Sequence, residues 1–357
     1  MDARPSHADA KPSASYRDKS GICNLCCSSH LPFGIMCAMR VQRIIATATI
    51  VAAVAAGLAT LSARRGGAPR RVEWPVMGTV AGLAFRGGDA AAQDAVRESV
   101  QQTYMRLNAL LSAWEPDSEL CRLARAGGTN AFDRASPEVR PCYRAALELA
   151  AASGNAFNPR VGARLRELGF SHGHPFCDFD LGAIAKGFAV DAACRALPSE
   201  LPFDGLLVDL GGNLRAVRGT WRTGVRNPFG DGYAAVVALA EGESVATSGN
   251  YERFVERDGV RYSHILDGRT GEPVTGIAGV TVVTPPALGA TLADGLSTTL
   301  FVLGPEEGAR FLREHAETYG AALALWIPDT PERPEIRATP EMAARLAEAA
   351  FTVGVVR

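Results

Sequence analysis

The stretch Phe179-Asp180-Leu181-Gly182-Ala183-Ile184-Ala185-Lys186-Gly187-Phe188-Ala189-Val190-Asp191 places an acid, two glycines, a lysine and a second acid in one strand-to-helix turn. Gly182 lets backbone amides approach a ligand closely, the following helix offers its N-terminal dipole to an anion, and Lys186 supplies a point charge for a phosphate oxygen. The same residues also suit an Asp-capped helix with a solvated lysine. Short glycine motifs match by chance, so this turn alone leaves both readings open.

Two other segments bear on the choice. Val245-Ala246-Thr247-Ser248-Gly249-Asn250-Tyr251-Glu252-Arg253 leads, after a short polar hairpin, into Tyr262-Ser263-His264-Ile265-Leu266-Asp267-Gly268-Arg269-Thr270-Gly271-Glu272-Pro273. Ala293-Asp294-Gly295-Leu296-Ser297-Thr298 follows. Together with Val76-Met77-Gly78-Thr79, Leu111-Ser112-Ala113-Trp114, Asn155-Ala156-Phe157-Asn158-Pro159 and Leu210-Gly211-Gly212-Asn213, they form an ordered series from about Trp74 to about Gly304. In this series the chain resembles the FAD:protein FMN transferases, the ApbE-type flavin transferases. Two positions depart from that family's pattern: Gly268 stands where a proline usually follows the aspartate, and Asn250 where an aspartate is common after Ser-Gly.

Length and composition set outer limits. A hydrophobic fraction of 47% in 357 residues suits one large domain with its own core over residues 73–357. Lys and Arg number 37 against 38 Asp and Glu, a balance that gives no electrostatic reason to expect a nucleic-acid partner. The run Ile44–Leu61 carries no charge, follows Arg40 and Arg43, and precedes Ser62-Ala63, so residues 39–63 read as a signal sequence or an N-terminal anchor. Its Ala and Thr content favours cleavage. Residues 1–38 read as a non-native or disordered extension, with translation starting at Met36 or Met39, and residues 64–72 as a basic linker. The expected location is therefore periplasmic, or on the inner membrane facing the periplasm. No cysteine follows the apolar run, which argues against lipoprotein attachment. Cys23, Cys26, Cys27 and Cys37 lie in the extension and lack the second pair a zinc site needs. Cys121, Cys142, Cys177 and Cys194 belong to the domain, where one or two disulfides of open pairing fit an oxidising compartment.

Apolar spacing predicts amphipathic helices over 90–112, over 136–153 with Ser136 as cap and Pro137 in the first turn, and over 185–197. Leu206–Leu210 reads as a buried strand. Short alternating segments from Trp221 to Val283 predict an antiparallel sheet, with Arg257-Asp258-Gly259-Val260 as a hairpin turn. Helices near 291–302 and 305–318 then precede a last strand at Leu323–Ile327. Grouped rather than alternating elements predict an α+β fold: a single domain with a mainly antiparallel sheet and flanking helices.

Asp294 and Thr298 are four residues apart, so on a helix their oxygens share a face and suit a hard cation, with Ser297 beside them and the Ala183 carbonyl available to complete the set. An Asp cap before a Ser/Thr-rich helix start fits the same letters. The resemblance implies the metal-binding alternative, with Mg²⁺ held by Asp294, Thr298 and the Ala183 carbonyl. His264 is the one histidine within these motifs. A lone histidine is more often structural, yet its near-neutral titration suits proton transfer. The resemblance implies that it either takes the acceptor's proton or orients phosphate, and that Lys186 acts beside it.

Met77, Trp114 and Phe157 are each close to Gly, Ser or Asn and read either as core or as a clamp on an isoalloxazine ring, with Ser112, Ala156, Asn158 and Ile265 supplying ring contacts. Asp180 and Asp191 suit ribose or adenosine hydroxyls, and Gly211, Gly212, Gly249 and Asn250 the wall of the same crevice. The activity implied is transfer of FMN from FAD, used as a substrate, to a Ser or Thr hydroxyl of a partner flavoprotein, Mg²⁺-dependent and with AMP leaving. An FAD pyrophosphatase using the same site and a flavin-binding protein without turnover are the alternatives.

Overall fold

Short β-branched and aliphatic runs separated by glycine turns build the framework of the computed structural model, which describes residues 68–127, 131–170, 177–252, 254–257 and 260–356. β1 (Arg70–Val76) and β2 (Thr79–Arg86) form a hairpin closed by Met77-Gly78. Both turn residues have positive φ, 50° and 69°, which is the turn whose twist matches that of the flanking strands. Helix α1 (Ala90–Leu111) follows, its N-terminus capped by Asp89, whose side chain accepts from the Ala92 N–H (2.8 Å). α2 (Glu119–Ala126), α3 (Arg140–Ala152), α4 (Gly162–Glu167) and α5 (Ala185–Arg195) complete the first half.

The second half opens with β3 (Gly205–Leu210), β4 (Asn213–Arg218), β5 (Trp221–Arg226), β6 (Tyr233–Leu239) and β7 (Ser244–Gly249). After these come β8 (Phe254–Arg257), β9 (Val260–Ser263) and β10 (Ile277–Thr284), then helices α6 (Gly289–Glu314) and α7 (Ala316–Tyr319). The chain ends with β11 (Leu323–Pro328), β12 (Glu335–Ala338), α8 (Pro340–Arg345), β13 (Leu346–Ala349) and β14 (Thr352–Val355).

One nine-stranded sheet, in the order β1-β2-β3-β4-β7-β10-β11-β12-β14, organises the rest, and within it only the β12–β14 pair is parallel. Leu206, Val208 and Leu210 of β3 and Val280 and Val282 of β10 face α1, α3, α5 and α6. Leu207, Val245, Val283 and Leu325 face the smaller sheet β13-β6-β5 and α8. The central strands are thus buried on both faces, which is why β3 and β10 are buried at every position and mostly apolar rather than alternating in and out. This is the expected α+β architecture with a mainly antiparallel sheet.

Several expectations are corrected. The linker expected over 64–72 ends earlier, because Arg70–Val72 find ladder partners in Phe85, Ala84 and Leu83. The helix expected from Ser136 begins at Arg140. The Ser136 carbonyl accepts from Val139 and Arg140 N–H groups in a preceding turn, its hydroxyl caps nothing, and the proline in the first helical turn is Pro141. The two helices expected at 291–302 and 305–318 are, by contrast, present: α6 consists of two helical stretches separated by non-helical Gly304 (φ 74°, ψ −179°) just before Pro305, the second ending at Glu314. β11 is followed by three further strands, so it is not the last. The four domain cysteines, whose pairing the sequence leaves open, are free thiols. Residues 1–67, which include the extension, the apolar run and its four cysteines, lie outside the described residues, as do Asp258 and Gly259 of the β8–β9 turn. Among the described residues no helix is long and apolar enough to cross a membrane.

One carboxylate sits on the wrong side of the burial rule. Asp209 of β3 is buried, opposite Gly82, which in turn lies opposite Glu73. Desolvation pushes its carboxyl up to about 7, against a hydrogen bond from the Gly212 N–H (2.8 Å) and the Arg71 charge, with Glu73 adding to the rise. A folded-state pKa above the unfolded one means that folding favours the protonated acid, so its contribution to stability is full below the unfolded value of about 4 and is lost as pH rises from there through about 7. The Tm should therefore fall between about pH 4 and pH 7 and level off above, and Asp209→Asn, which keeps the acceptor for Gly212, should flatten that fall. Thermal melts across the range check this; an unchanged slope in the variant would contradict it.

Candidate active site

Strand register gathers the motif turns at one end of the large sheet. The Met77-Gly78 turn joins β1 to β2, and Gly211-Gly212 joins β3 to β4 beside it, with the Gly211 N–H donating to the Val80 carbonyl (2.9 Å). Because Leu214 pairs with Val245 and Gly249 with Gly279, the Gly249-Asn250 end of β7 lies at the same edge. Helix α6 starts at the far end, beside Thr284, and runs back toward this edge, bringing Ser297 against Ser248.

The turn before α5 is set by Asp180, whose Oδ1 accepts the Gly182 N–H (2.6 Å). Lys186, the second residue of the helix, donates from Nζ to the Gly182 carbonyl (2.6 Å) and lies 3.6 Å from Asp294 Oδ1. The Gly187 N–H donates to Asp294 Oδ2 (2.9 Å). This approach requires glycine: a Cβ at 187 would stand 2.1 Å from the Ala290 carbonyl oxygen. Asp294 is only 4% exposed, and burial pushes its carboxyl above the usual carboxylate range, opposed by Lys186 and the Gly187 bond.

Hydroxyls line the next turn of α6. Ser297 Oγ donates to the Asp294 carbonyl (2.8 Å) and lies 2.8 Å from Ser248 Oγ, which is 3.1 Å from Thr298 Oγ1. Asp294 and, one turn on along α6, Thr298 thus offer a carboxylate and a hydroxyl, and Ala183 lies in the turn that leads into α5; all are hard oxygen donors. Among the described residues no three His, Cys, Asp or Glu side chains cluster as a metal site; a carboxylate with hydroxyl and carbonyl oxygens is a donor set that fits an oxygen-seeking ion such as Mg²⁺. A buried carboxylate with a lysine at 3.6 Å as its nearest cation fits such an ion.

A second cluster docks onto the first half of the chain. Asn155 holds positive φ (66°), and Asn158 donates from Nδ2 to the Gly268 carbonyl (3.3 Å) while the Gly268 N–H donates to the Ala156 carbonyl (3.1 Å). A Cβ at 268 would stand 2.3 Å from the Asn158 Cβ and 2.4 Å from the Asn155 carbonyl oxygen, so the proline expected there has no room. Arg164 of α4 pins the same loop, donating from Nε to the Gly271 carbonyl (3.0 Å) and from Nη2 to Glu272 (2.6 Å). His264, half-buried, lies between β9 and buried Ile265, whose carbonyl accepts the Val274 N–H (2.9 Å).

Trp114 is 49% exposed and Met77 is half-buried at its hairpin tip, so both can meet a planar ring. Phe157 cannot: it is 2% exposed and packed in the core, leaving only the backbone of Ala156–Asn158 for a ligand. The Ser112 hydroxyl accepts the Trp114 and Glu115 N–H groups and so shapes the loop that carries Trp114. Asn250 turns away, donating to Asp329 (3.1 Å). Asp191 is 5% exposed with both carboxylate oxygens engaged by protein donors, which corrects its assignment to a ribose. Sequence reading did not single out Ser248 or Arg164. The Thr-Ser-Gly letters before a turn carried a signal for the first, whereas nothing local marks the second.

The model of the ApbE family matches residues 77–179 and 173–323. Over 281 residues the chain is 36% identical to an FAD:protein FMN transferase of Treponema pallidum, covering 63% of this chain and 76% of that protein. It is 32% identical to one of Rhodobacter capsulatus over 273 residues, 66% of this chain but 50% of that protein. Among solved structures, the flavinyl transferase ApbE of Pseudomonas stutzeri superposes with a TM-score of 0.64 at 25% identity, over 81% of this chain and all of that one. The apbe protein of Thermotoga maritima shares the fold with a TM-score of 0.65 at 23% identity, over 78% of this chain.

The Gly187 contact makes a direct prediction. Gly187→Ala should force α5 from α6 and cost about 2–4 kcal/mol of stability, with Lys186 and Asp294 moved apart. Gly230→Ala, where the added Cβ meets only Asn227 Nδ2 at 3.7 Å, should stay within about 0.5 kcal/mol. Denaturant melts of both variants check this; equal effects would contradict it.

Proposed function

This chain belongs to the ApbE family, and from that premise we propose that it transfers the FMN moiety of FAD to a Ser or Thr hydroxyl of a partner flavoprotein, with Mg²⁺ bound and AMP released. The observation that supports this best is the buried Asp294 carboxylate flanked by Lys186, the Gly187 N–H and Thr298. A protein that merely stores flavin has no need of a carboxylate held at that desolvation cost. Mg²⁺ held by Asp294, Thr298 and the Ala183 carbonyl would supply charge neutralisation on the pyrophosphate.

The chain's own groups do the rest. The Asp180–Gly182 turn and the N-terminal end of α5 receive phosphate oxygens, and Lys186 adds a positive charge over them. Trp114 and Met77 hold the isoalloxazine, with backbone groups of Ala156 and Asn158 at its edge. The acceptor oxygen attacks the phosphorus of the FMN moiety, the bond to the AMP oxygen breaks, and AMP leaves as the free phosphate. His264, carried on the loop that Gly268 and Arg164 pin, takes the proton of the attacking hydroxyl. Positioning and electrostatics carry most of the rate in such a transfer. The apolar run Ile44–Leu61 supports export, with the domain acting on the periplasmic side; N-terminal sequencing of the mature protein, starting beyond Ala63, tests it.

Two variants separate these roles. Asp294→Ala should abolish transfer while FAD still binds more weakly, since ring contacts remain. His264→Gln should lower turnover about a hundredfold with FAD affinity nearly unchanged. Transfer rates and FAD titrations check both. Full activity of Asp294→Ala in EDTA would refute the metal reading, and loss of FAD binding with intact turnover in His264→Gln would assign that residue to phosphate positioning.

A further inference from the structure

Helix α6 begins without a side-chain cap of its own: Leu288 precedes it in helical geometry and makes no capping bond. Its first N–H groups are satisfied from another element. Asp191, on the second turn of α5, accepts the Ala290 N–H at Oδ1 (2.9 Å) and, at Oδ2, the Thr291 N–H (2.8 Å) and the Thr291 hydroxyl (2.6 Å). Arg215 of β4 donates to Oδ1 (2.5 Å) and balances the charge. Gly289 (φ 67°) is held so close that a Cβ there would stand 2.7 Å from Oδ2. All four bonds go to protein, and the carboxylate is 5% exposed.

This cap fixes more than a helix end. Asp294 lies one turn beyond Ala290, and Gly187, which donates to Asp294, lies one turn before Asp191 on α5. The two helices are therefore tied at two levels, Asp191 to the start of α6 and Gly187 to the carboxylate one turn on. Since a helix is axially stiff, the lower tie sets the height of Asp294 and Thr298 against Lys186 and the Ala183 carbonyl.

We propose that Asp191 is a positioning residue of the transfer reaction, which through its cap on α6 sets the placement of Asp294 and Thr298 toward the cation and makes no contact with FAD. This rests on the functional reading above. Replacing Asp191 with Asn leaves one acceptor for Ala290 but strips the Thr291 N–H and hydroxyl of theirs and leaves Arg215 without its counter-charge.

The test measures Mg²⁺ half-saturation in two ways, by the Mg²⁺-dependent rise in Tm with FAD present and by activity, together with the KM for FAD and kcat. Asp191→Asn should raise the Mg²⁺ half-saturation about tenfold in both readouts and lower kcat at limiting Mg²⁺, with the KM for FAD at saturating Mg²⁺ within about threefold. Thr291→Val, a near-isosteric change that removes one of the four bonds, should shift Mg²⁺ half-saturation in the same direction by about threefold with little change in Tm, and it answers the question if Asp191→Asn does not fold. A raised KM for FAD with unchanged Mg²⁺ response in either folded variant would show that the residue serves the nucleotide. A lowered Tm with both parameters unchanged would show a purely structural cap. Either result overturns the proposal. Asp294→Ala run alongside keeps the two readings apart: an unaltered Mg²⁺ response there strikes the metal assignment itself, whereas its loss with an unaltered Asp191→Asn strikes only the role of Asp191.

Discussion

The hydrogen bond from the Gly187 N–H to the Asp294 carboxylate, 2.9 Å long, holds together the two helices that carry most of the chemistry. It forms because residue 187 has no Cβ, which lets α5 lie against the Ala290 carbonyl. Asp294 can remain buried because this amide and the Lys186 ammonium, 3.6 Å away, share the task of solvating it. Everything else in the site is arranged around that desolvated carboxylate. The Ser248–Ser297–Thr298 hydroxyl chain ties α6 to β7, and β7 is the strand whose Gly249 end shares the sheet edge with the Met77 and Gly211 turns. A change at one glycine would thus be felt at Asp294 and Thr298, at the sheet edge and at the Asp180–Gly182 turn together.

Two loops distant in sequence also meet through the absence of a side chain. Gly268 fits against Asn155 and Asn158 where a Cβ would collide, and its N–H and carbonyl are both used in the contact. Because Arg164 holds the far side of the same loop, His264 is carried on a segment fixed at both ends of its turn. The general-base role proposed for His264 requires a group held within hydrogen-bond reach of one proton, and a loop pinned in this way supplies that precision.

Much of this was legible in the letters. The antiparallel sheet, the buried strand at Leu206–Leu210 and the helix over 90–112 follow from apolar periodicity, which burial enforces directly. The break at Gly304-Pro305 was visible too, since a glycine at positive φ followed by a proline ends one helix and starts the next. The helix at Arg140 was placed too early since Ser136-Pro137 has the letters of a cap while its carbonyl instead closes a turn. Asp191 looked like a ribose ligand because an acid after a glycine turn suits one. Only the fold shows that four protein donors converge on it from β4 and α6, elements that lie from 24 to 100 residues away in sequence. Phe157 was ambiguous for the same reason: spacing places an aromatic near the site, and only tertiary packing decides which way its ring goes.

The central claim is that the oxygen site at Asp294 and Thr298 serves transfer of FMN to a protein hydroxyl. The most direct measurement incubates the protein with FAD, Mg²⁺ and a flavoprotein acceptor domain, with and without its acceptor Ser or Thr changed to Ala, and reads flavin fluorescence on the denatured acceptor beside released AMP. The account predicts fluorescence on the unaltered acceptor only, in equal amount to AMP, and its loss in EDTA. Release of free FMN and AMP at the same rate whether or not the acceptor hydroxyl is present, with no flavin on protein, would contradict it.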